Sequence, residues 1–253
     1  MNKNSKIVFL VKEVYSTWLK EDIMNLSASL AFYVMLAIFP CLVAIKYIMG
    51  DLFVLSEYVP EISLEARGEL LAGGIFVAIF SVVKCIRRIK KYLDEIFTQG
   101  KTKDFIASWF FSLIMALYFL MLLYLSVIGI GFGREIVESF IDIPISLFST
   151  ITTIILAFLF LTLMFRYLPE KKHRFVEVLP GTFFTVVAWI VASVGFRIWV
   201  ENFSHYSLLE EGVGGTIALM LWIFVLSNIL LIGASIISAF SKMKTNYRGA
   251  RTE

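Results

Sequence analysis

Cysteine and histidine are scarce in this 253-residue chain, which holds Cys41, Cys85, His173 and His205 and no others of either type. Both cysteines lie within or at the edge of apolar runs, so neither a disulfide framework nor a four-ligand zinc site is available. The two histidines fall in widely separated loops, and no H-x-H, H-E-x-x-H, G-x-S-x-G or P-loop spacing accompanies them. Charge is scarce too. Asp, Glu, Lys and Arg make up 17% of the residues, against about 25% in an average soluble domain. No short apolar core followed by a small-residue cleavage site opens the chain, so a cleavable signal peptide is not expected. What the chain has instead is apolar length: 59% hydrophobic residues and a mean hydropathy of +0.83.

The apolar residues are gathered in runs of membrane-crossing length. The clearest two flank the polar stretch Arg166 to Arg174. Each is about 20 residues, enough for a helix to cross a hydrocarbon core of roughly 30 Å. Pro169 disfavours helix at Leu168 and so ends the first run. Pro180 suits a first helical turn, where its missing N–H leaves no carbonyl unpaired. In all, six spans are expected at about 26–47, 70–86, 105–131, 143–165, 181–200 and 213–240. The fold class is therefore all-α, a polytopic membrane helical bundle. Residues 1–25 form a cytoplasmic amphipathic segment with Ile7, Val11, Val14 and Trp18 on one face; Tyr15 and Trp18 suit the headgroup level. Residues 241–253 form a tail. Pro40 predicts a kink in the first span, tolerable where neighbouring helices satisfy the freed carbonyl. The second span is short, and Lys84 at its end can snorkel. Gly129 and Gly133 have GxxxG spacing, and Ala234/Ser238 with Ser235/Ala239 form a small-residue seam suited to close helix packing.

Charge distribution fixes the expected orientation. Nineteen of the 23 Lys and Arg lie in the N-terminal segment, in 84–103, in 166–174 and in 242–251. The alternate loops hold Arg67, Arg134 and Arg197, and Lys46 lies inside a span. That asymmetry puts both termini in the cytoplasm. The basic run Lys84, Arg87, Arg88, Lys90 and Lys91 alternates with Ile86, Ile89, Leu93 and Ile96. It reads either as a plain topology determinant or, with Arg166, as contacts to anionic inner-leaflet lipid; nucleic acid is not expected.

Ionisable and polar groups at membrane depth are the candidate binding residues, because burying them is costly and they mark substrate paths. Lys46 and Arg197 sit near the outer ends of their spans, with Tyr33 and Asn228 as polar groups within spans. The bland alternative for the cations is snorkelling to outer headgroups with Asp51 or Glu201 as counter-ion; for Asn228 it is a helix–helix hydrogen bond. No catalytic residue, metal ligand or cofactor is expected. Membrane lipids are the expected partners, and self-association of the chain stays open.

Three stretches carry a family resemblance. Ala28-Ser29-Leu30-Ala31-Phe32-Tyr33 through Phe39-Pro40 resembles the first-helix motif of the YihY/virulence factor BrkB family, once labelled ribonuclease BN. Arg166-Tyr167-Leu168-Pro169 with Leu179-Pro180-Gly181 and Trp189 is similar to its central hairpin. Gly215 to Trp222 and Leu231-Ile232-Gly233-Ala234 are similar to its last helix. The chain departs from the pattern in having Leu209-Glu210-Glu211-Gly212 where the family often has Tyr-Gly, and Ser235 where it often has an acidic residue. The resemblance implies a six-helix protein of the bacterial inner membrane, and links to lipid or lipopolysaccharide-precursor export in some members. The function expected is transport of an anionic lipid or lipid-linked precursor between leaflets. A non-transporting scaffold is the alternative; a membrane-bound ribonuclease follows less well, since a hydrolytic metal site needs clustered His, Asp or Glu.

Overall fold

The computed structural model describes residues 3–49, 64–98, 145–203 and 213–249, with the isolated helical positions Ile114 and Leu117. These residues form six helices and, among them, no strand: α1 (Lys3–Lys20), α2 (Ile23–Met49), α3 (Leu64–Thr98), α4 (Ile145–Tyr167), α5 (Phe175–Phe203) and α6 (Val213–Gly249). The all-α expectation is borne out. Among the described residues, three stretches are long and apolar enough to cross a membrane: Thr150–Tyr167, Phe175–Asn202 and Gly214–Met243. Val8–Lys20 and Ile23–Ile38 pass the same test as a pair bent by 65°. The expected span at 105–131 and the Gly129/Gly133 pair lie outside the described residues, while α2 runs on as helix through Pro40.

The chain divides into two compact units. One comprises residues 1–31, 88–105 and 157–253; the other comprises 32–87 and 106–156. In the first unit, α1 packs against α6, and α5 packs along α6. The bend between α1 and α2 has a local cause. Asp22 adopts a left-handed conformation, φ 47°, which short polar side chains tolerate better than others. Its carboxylate accepts a hydrogen bond from Asn25 Nδ2 at 3.1 Å, and its carbonyl accepts from Leu26 N–H at 3.1 Å. One residue thus ends one helix and starts the next.

The approach of α5 to α6 is set by two glycines. A Cβ on Gly181 would collide with the carbonyl of Gly233 and with Ile237; one on Gly233 would collide with Thr185 Oγ1. Lacking side chains, the two backbones come close enough for Thr185, whose hydroxyl bonds Gly181 O at 2.8 Å, to fill the gap. The small seam continues below, with Ala234, Ser235, Ser238 and Ala239 all buried. That is how helices associate where hydrocarbon offers no hydrophobic drive: by close packing of small residues.

The turn between α4 and α5 ends α4 two residues before Pro169, as X-Pro sterics require. The start of α5 corrects the sequence reading. The helix begins at Phe175, so Pro180 is its sixth residue and lies inside it rather than in the first turn. Glu177 explains the early start: its carboxylate reaches back to Arg174 N–H at 3.3 Å while its own N–H bonds Arg174 O at 2.9 Å. This is one half of a capping box, with an acid placed at the positive end of the helix dipole. The carbonyl that Pro180 leaves without its helical donor belongs to Val176, a residue 75% exposed.

Candidate functional site

Sequence periodicity places Ile86, Ile89, Leu93 and Ile96 on the inner face of α3, and all four are buried. The opposite, basic face is not uniformly solvated. Arg88 and Lys91 are exposed, and Lys91 stands 3.9 Å from Glu95. Arg87 is half-buried, and Lys84 lies with its ammonium 5.1 Å from the Phe80 ring centre. Lys90, however, is buried, with Nζ donating to Asp94 Oδ2 at 2.5 Å and standing 3.7 Å from Glu170 Oε1. The other oxygen of Asp94 accepts the Glu170 N–H at 2.8 Å. A buried carboxylate therefore holds a cation from its own helix and a backbone amide from the α4–α5 turn. Two ions taken from water persist only when attraction and hydrogen bonds offset a desolvation cost of several kcal/mol each.

Around this pair the same end of α3 is tied to α6 and to the turn. Tyr92, 1% exposed, places its hydroxyl 2.7 Å from Ser235 Oγ and donates to Leu231 O at 3.2 Å. Burial pushes its phenol well above the ordinary range, so it stays a neutral donor. Ser238 Oγ donates to Ile96 O at 2.9 Å. Ser235 stands where the resembling pattern often has an acid, and here it serves as a neutral partner for a tyrosine.

His173 completes the cluster. Its ring packs edge-on against Phe97 at 4.5 Å between centres, and Nδ1 stands 3.6 Å from Glu177 Oε2. Nε2 is buried without a hydrogen-bond partner. Desolvation first, and Lys171 second, hold its pKa below the ordinary 6.5 against the opposing pull of Glu177. A neutral imidazole follows at neutral pH. Arg166, at the end of α4, lays its guanidinium 4.7 Å from the Phe175 ring centre and 5.2 Å from that of Tyr167. Among the described residues no three His, Cys, Asp or Glu stand together in a way that could hold a metal ion.

The candidate substrate residues are not in this cluster. Arg197 projects from α5, its side chain 79% exposed, with Nε bonded to Glu201 Oε1 at 2.7 Å. Asn228, half-buried on α6, donates from Nδ2 to Phe224 O of its own helix at 3.0 Å. Tyr33 is half-buried on α2 and meets Phe32 edge-on at 5.7 Å. The side chain of Lys46, like that of Pro40, lies outside the described residues. Of the motif positions on α6, Gly215 is exposed with open space around it, and Trp222 stacks on Phe196 at 5.8 Å with its Nε1 buried and unpartnered. Pro169 is buried in the turn.

Sequence reasoning missed the Lys90–Asp94–Glu170 arrangement. The i, i+4 spacing of Lys90 and Asp94 was the available signal, but the same spacing occurs on any solvated helix face. Only the turn after α4 makes it a buried site.

Long apolar helices, small-residue packing and buried polar ties between helices define an α-helical membrane protein. Comparison with known sequences gives the family: a profile described as Virulence factor BrkB matches residues 14–253, and the chain belongs to that family. Among its relatives is YfkH of Bacillus subtilis (strain 168), named a ribonuclease-like protein, 26% identical over 92% of this chain and 96% of YfkH. The UPF0761 membrane protein Smlt0865 of Stenotrophomonas maltophilia (strain K279a) is 20% identical over 91% of this chain, which spans 60% of that protein's length. No solved structure matches the chain.

Proposed function

We propose that this protein moves an anionic lipid, or a lipid-linked precursor, between the leaflets of a bacterial inner membrane, with both termini in the cytoplasm. The observation that carries the reading is Arg197. It is an exposed guanidinium within a membrane-length apolar stretch, five residues from the end of Phe175–Asn202. Glu201 engages its Nε, and the terminal fork of N–H groups has the geometry for a phosphate. The exposed Arg88 and Lys91 of α3 and the ring-supported Arg166 at the end of α4 lie on the side that the Lys and Arg distribution assigns to the cytoplasm. A lipid changing leaflets would meet a cation at each headgroup plane. Lys46, with Tyr33 and Asn228, belongs to the same proposal on sequence position.

The test is functional. Arg197→Gln and Lys46→Gln should leave folded protein near normal and lower headgroup movement in reconstituted liposomes. Undiminished movement in the double variant would remove these residues from the path. The name of YfkH supplies a competing nuclease reading. Purified chain should leave tRNA precursors intact with or without zinc, and cleavage that vanishes in His173→Gln would revive that reading.

A further inference from the structure

An apolar groove of about 550 Å³ runs between α1, α5 and α6. Its walls include Val11, Tyr15 and Trp18 of α1, Phe184 of α5, and Ile232 and Ile236 of α6, with no charged side chain. The size falls within the roughly 300–1,000 Å³ of small-molecule sites, but such sites place a few polar groups to orient a polar ligand. This groove offers almost none, so its occupant is hydrocarbon.

The position says which hydrocarbon. Phe184 lies inside the membrane-length stretch of α5, and Ile232 and Ile236 lie inside that of α6. The surface beside the groove is also apolar and exposed: Val8 and Leu19 on α1 are 65% and 59% exposed, Phe183 and Val187 on α5 65% and 43%. Once the spans are in a bilayer, what lies against that surface is acyl chains. At the groove's α1 edge the setting turns polar, with Lys242 bonded to Glu13 at 2.7 Å and Lys12 and Lys20 exposed. Tyr15 and Trp18, with ring centres 6.3 Å apart, are the residue types that settle at that boundary. We propose that the groove is a binding site for one acyl chain of a membrane phospholipid, which seats the amphipathic α1 against α6. This goes beyond the transport reading and does not depend on it.

Photo-crosslinking of the full chain in phosphatidylethanolamine–phosphatidylglycerol vesicles tests it, using phosphatidylglycerol with a diazirine in one acyl chain. Peptides of α1 and α6 that line the groove should label saturably and be protected by excess unlabelled phosphatidylglycerol. The exposed face of α4, with Ile151, Ile155 and Leu159, should label in simple proportion to the probe. Ile236→Trp, which fills the groove, should lower groove labelling several-fold with α4 labelling unchanged. Val11→Trp, at a position 63% exposed, should do the same with less risk to folding. Groove labelling that only tracks the α4 reference, or that both variants leave unaltered, overturns the proposal. So does a groove closed to the probe in the unsubstituted chain, because a protein surface would then cover it.

Discussion

Lys90 and Asp94 show how residue chemistry is decided by surroundings. At 7% and 1% side-chain exposure, neither charge can be left alone. Lys90→Met should therefore cost about 3–5 kcal/mol, the range for stranding one partner of a buried ion pair. Lys90→Met combined with Asp94→Leu should recover part of that, though not the Glu170 N–H bond that Asp94 also receives. Thermal unfolding in detergent reads both. His173 gives a pH prediction of opposite origin. Its pKa is lower folded than unfolded, so above about 6.5 both states are neutral and its site costs nothing. As pH falls below that value the unfolded chain takes up the proton first, and the folded state loses stability until it too protonates. Melting temperature should drop between pH 7 and pH 5, and His173→Phe should flatten that part of the profile. An unchanged profile would mean that His173 is not the group responsible.

At the scale of elements, the crossing of α5 and α6 depends on glycine in a way open to a double substitution. Gly233→Ala places a methyl group on Thr185 Oγ1 and should cost about 1–3 kcal/mol by overpacking. Adding Thr185→Ala removes that oxygen, leaving Thr185 Cβ at 3.3 Å as the nearest remaining side-chain atom, and should relieve much of the cost. Gly181→Ala meets the Gly233 carbonyl, a backbone atom, and Thr185→Ala should not rescue it. Additive losses in the first pair would contradict the packing described. The small seam on α6 was legible beforehand because its i, i+4 spacing has one structural meaning in a membrane helix. Helix type and the stop before Pro169 were legible for similar reasons, since apolar run length and X-Pro sterics act locally. The start of α5 was not, because a proline is read most simply as a first-turn residue and Glu177 outweighed it. Nor was the fate of α3 beyond its apolar run. A basic face with an apolar back looks alike whether it meets headgroups or, as Lys90 does, another part of the chain.

For the whole molecule, topology is the first quantity to fix. Reporter fusions after Gly100, His173 and Arg251 should report cytoplasm, and those after Val59, Asp142 and Ser207 the outside, as the Lys and Arg asymmetry requires. A cytoplasmic signal at Val59 would contradict that arrangement. On the proposed transport reading, the buried ties of α3 to α6 and to the α4–α5 turn hold the cytoplasmic end, and lipid passes along the surface that carries the exposed Arg197. The most direct test is movement of lipid by the purified protein. In liposomes carrying a trace of headgroup-labelled phosphatidylglycerol, an external quencher reaches only the outer leaflet unless label crosses. With the protein present, quenching should continue past the outer-leaflet share, faster for phosphatidylglycerol than for phosphatidylcholine, and slower in Arg197→Gln. Quenching that halts at the same level as in protein-free liposomes, for each anionic lipid tried, would contradict the account.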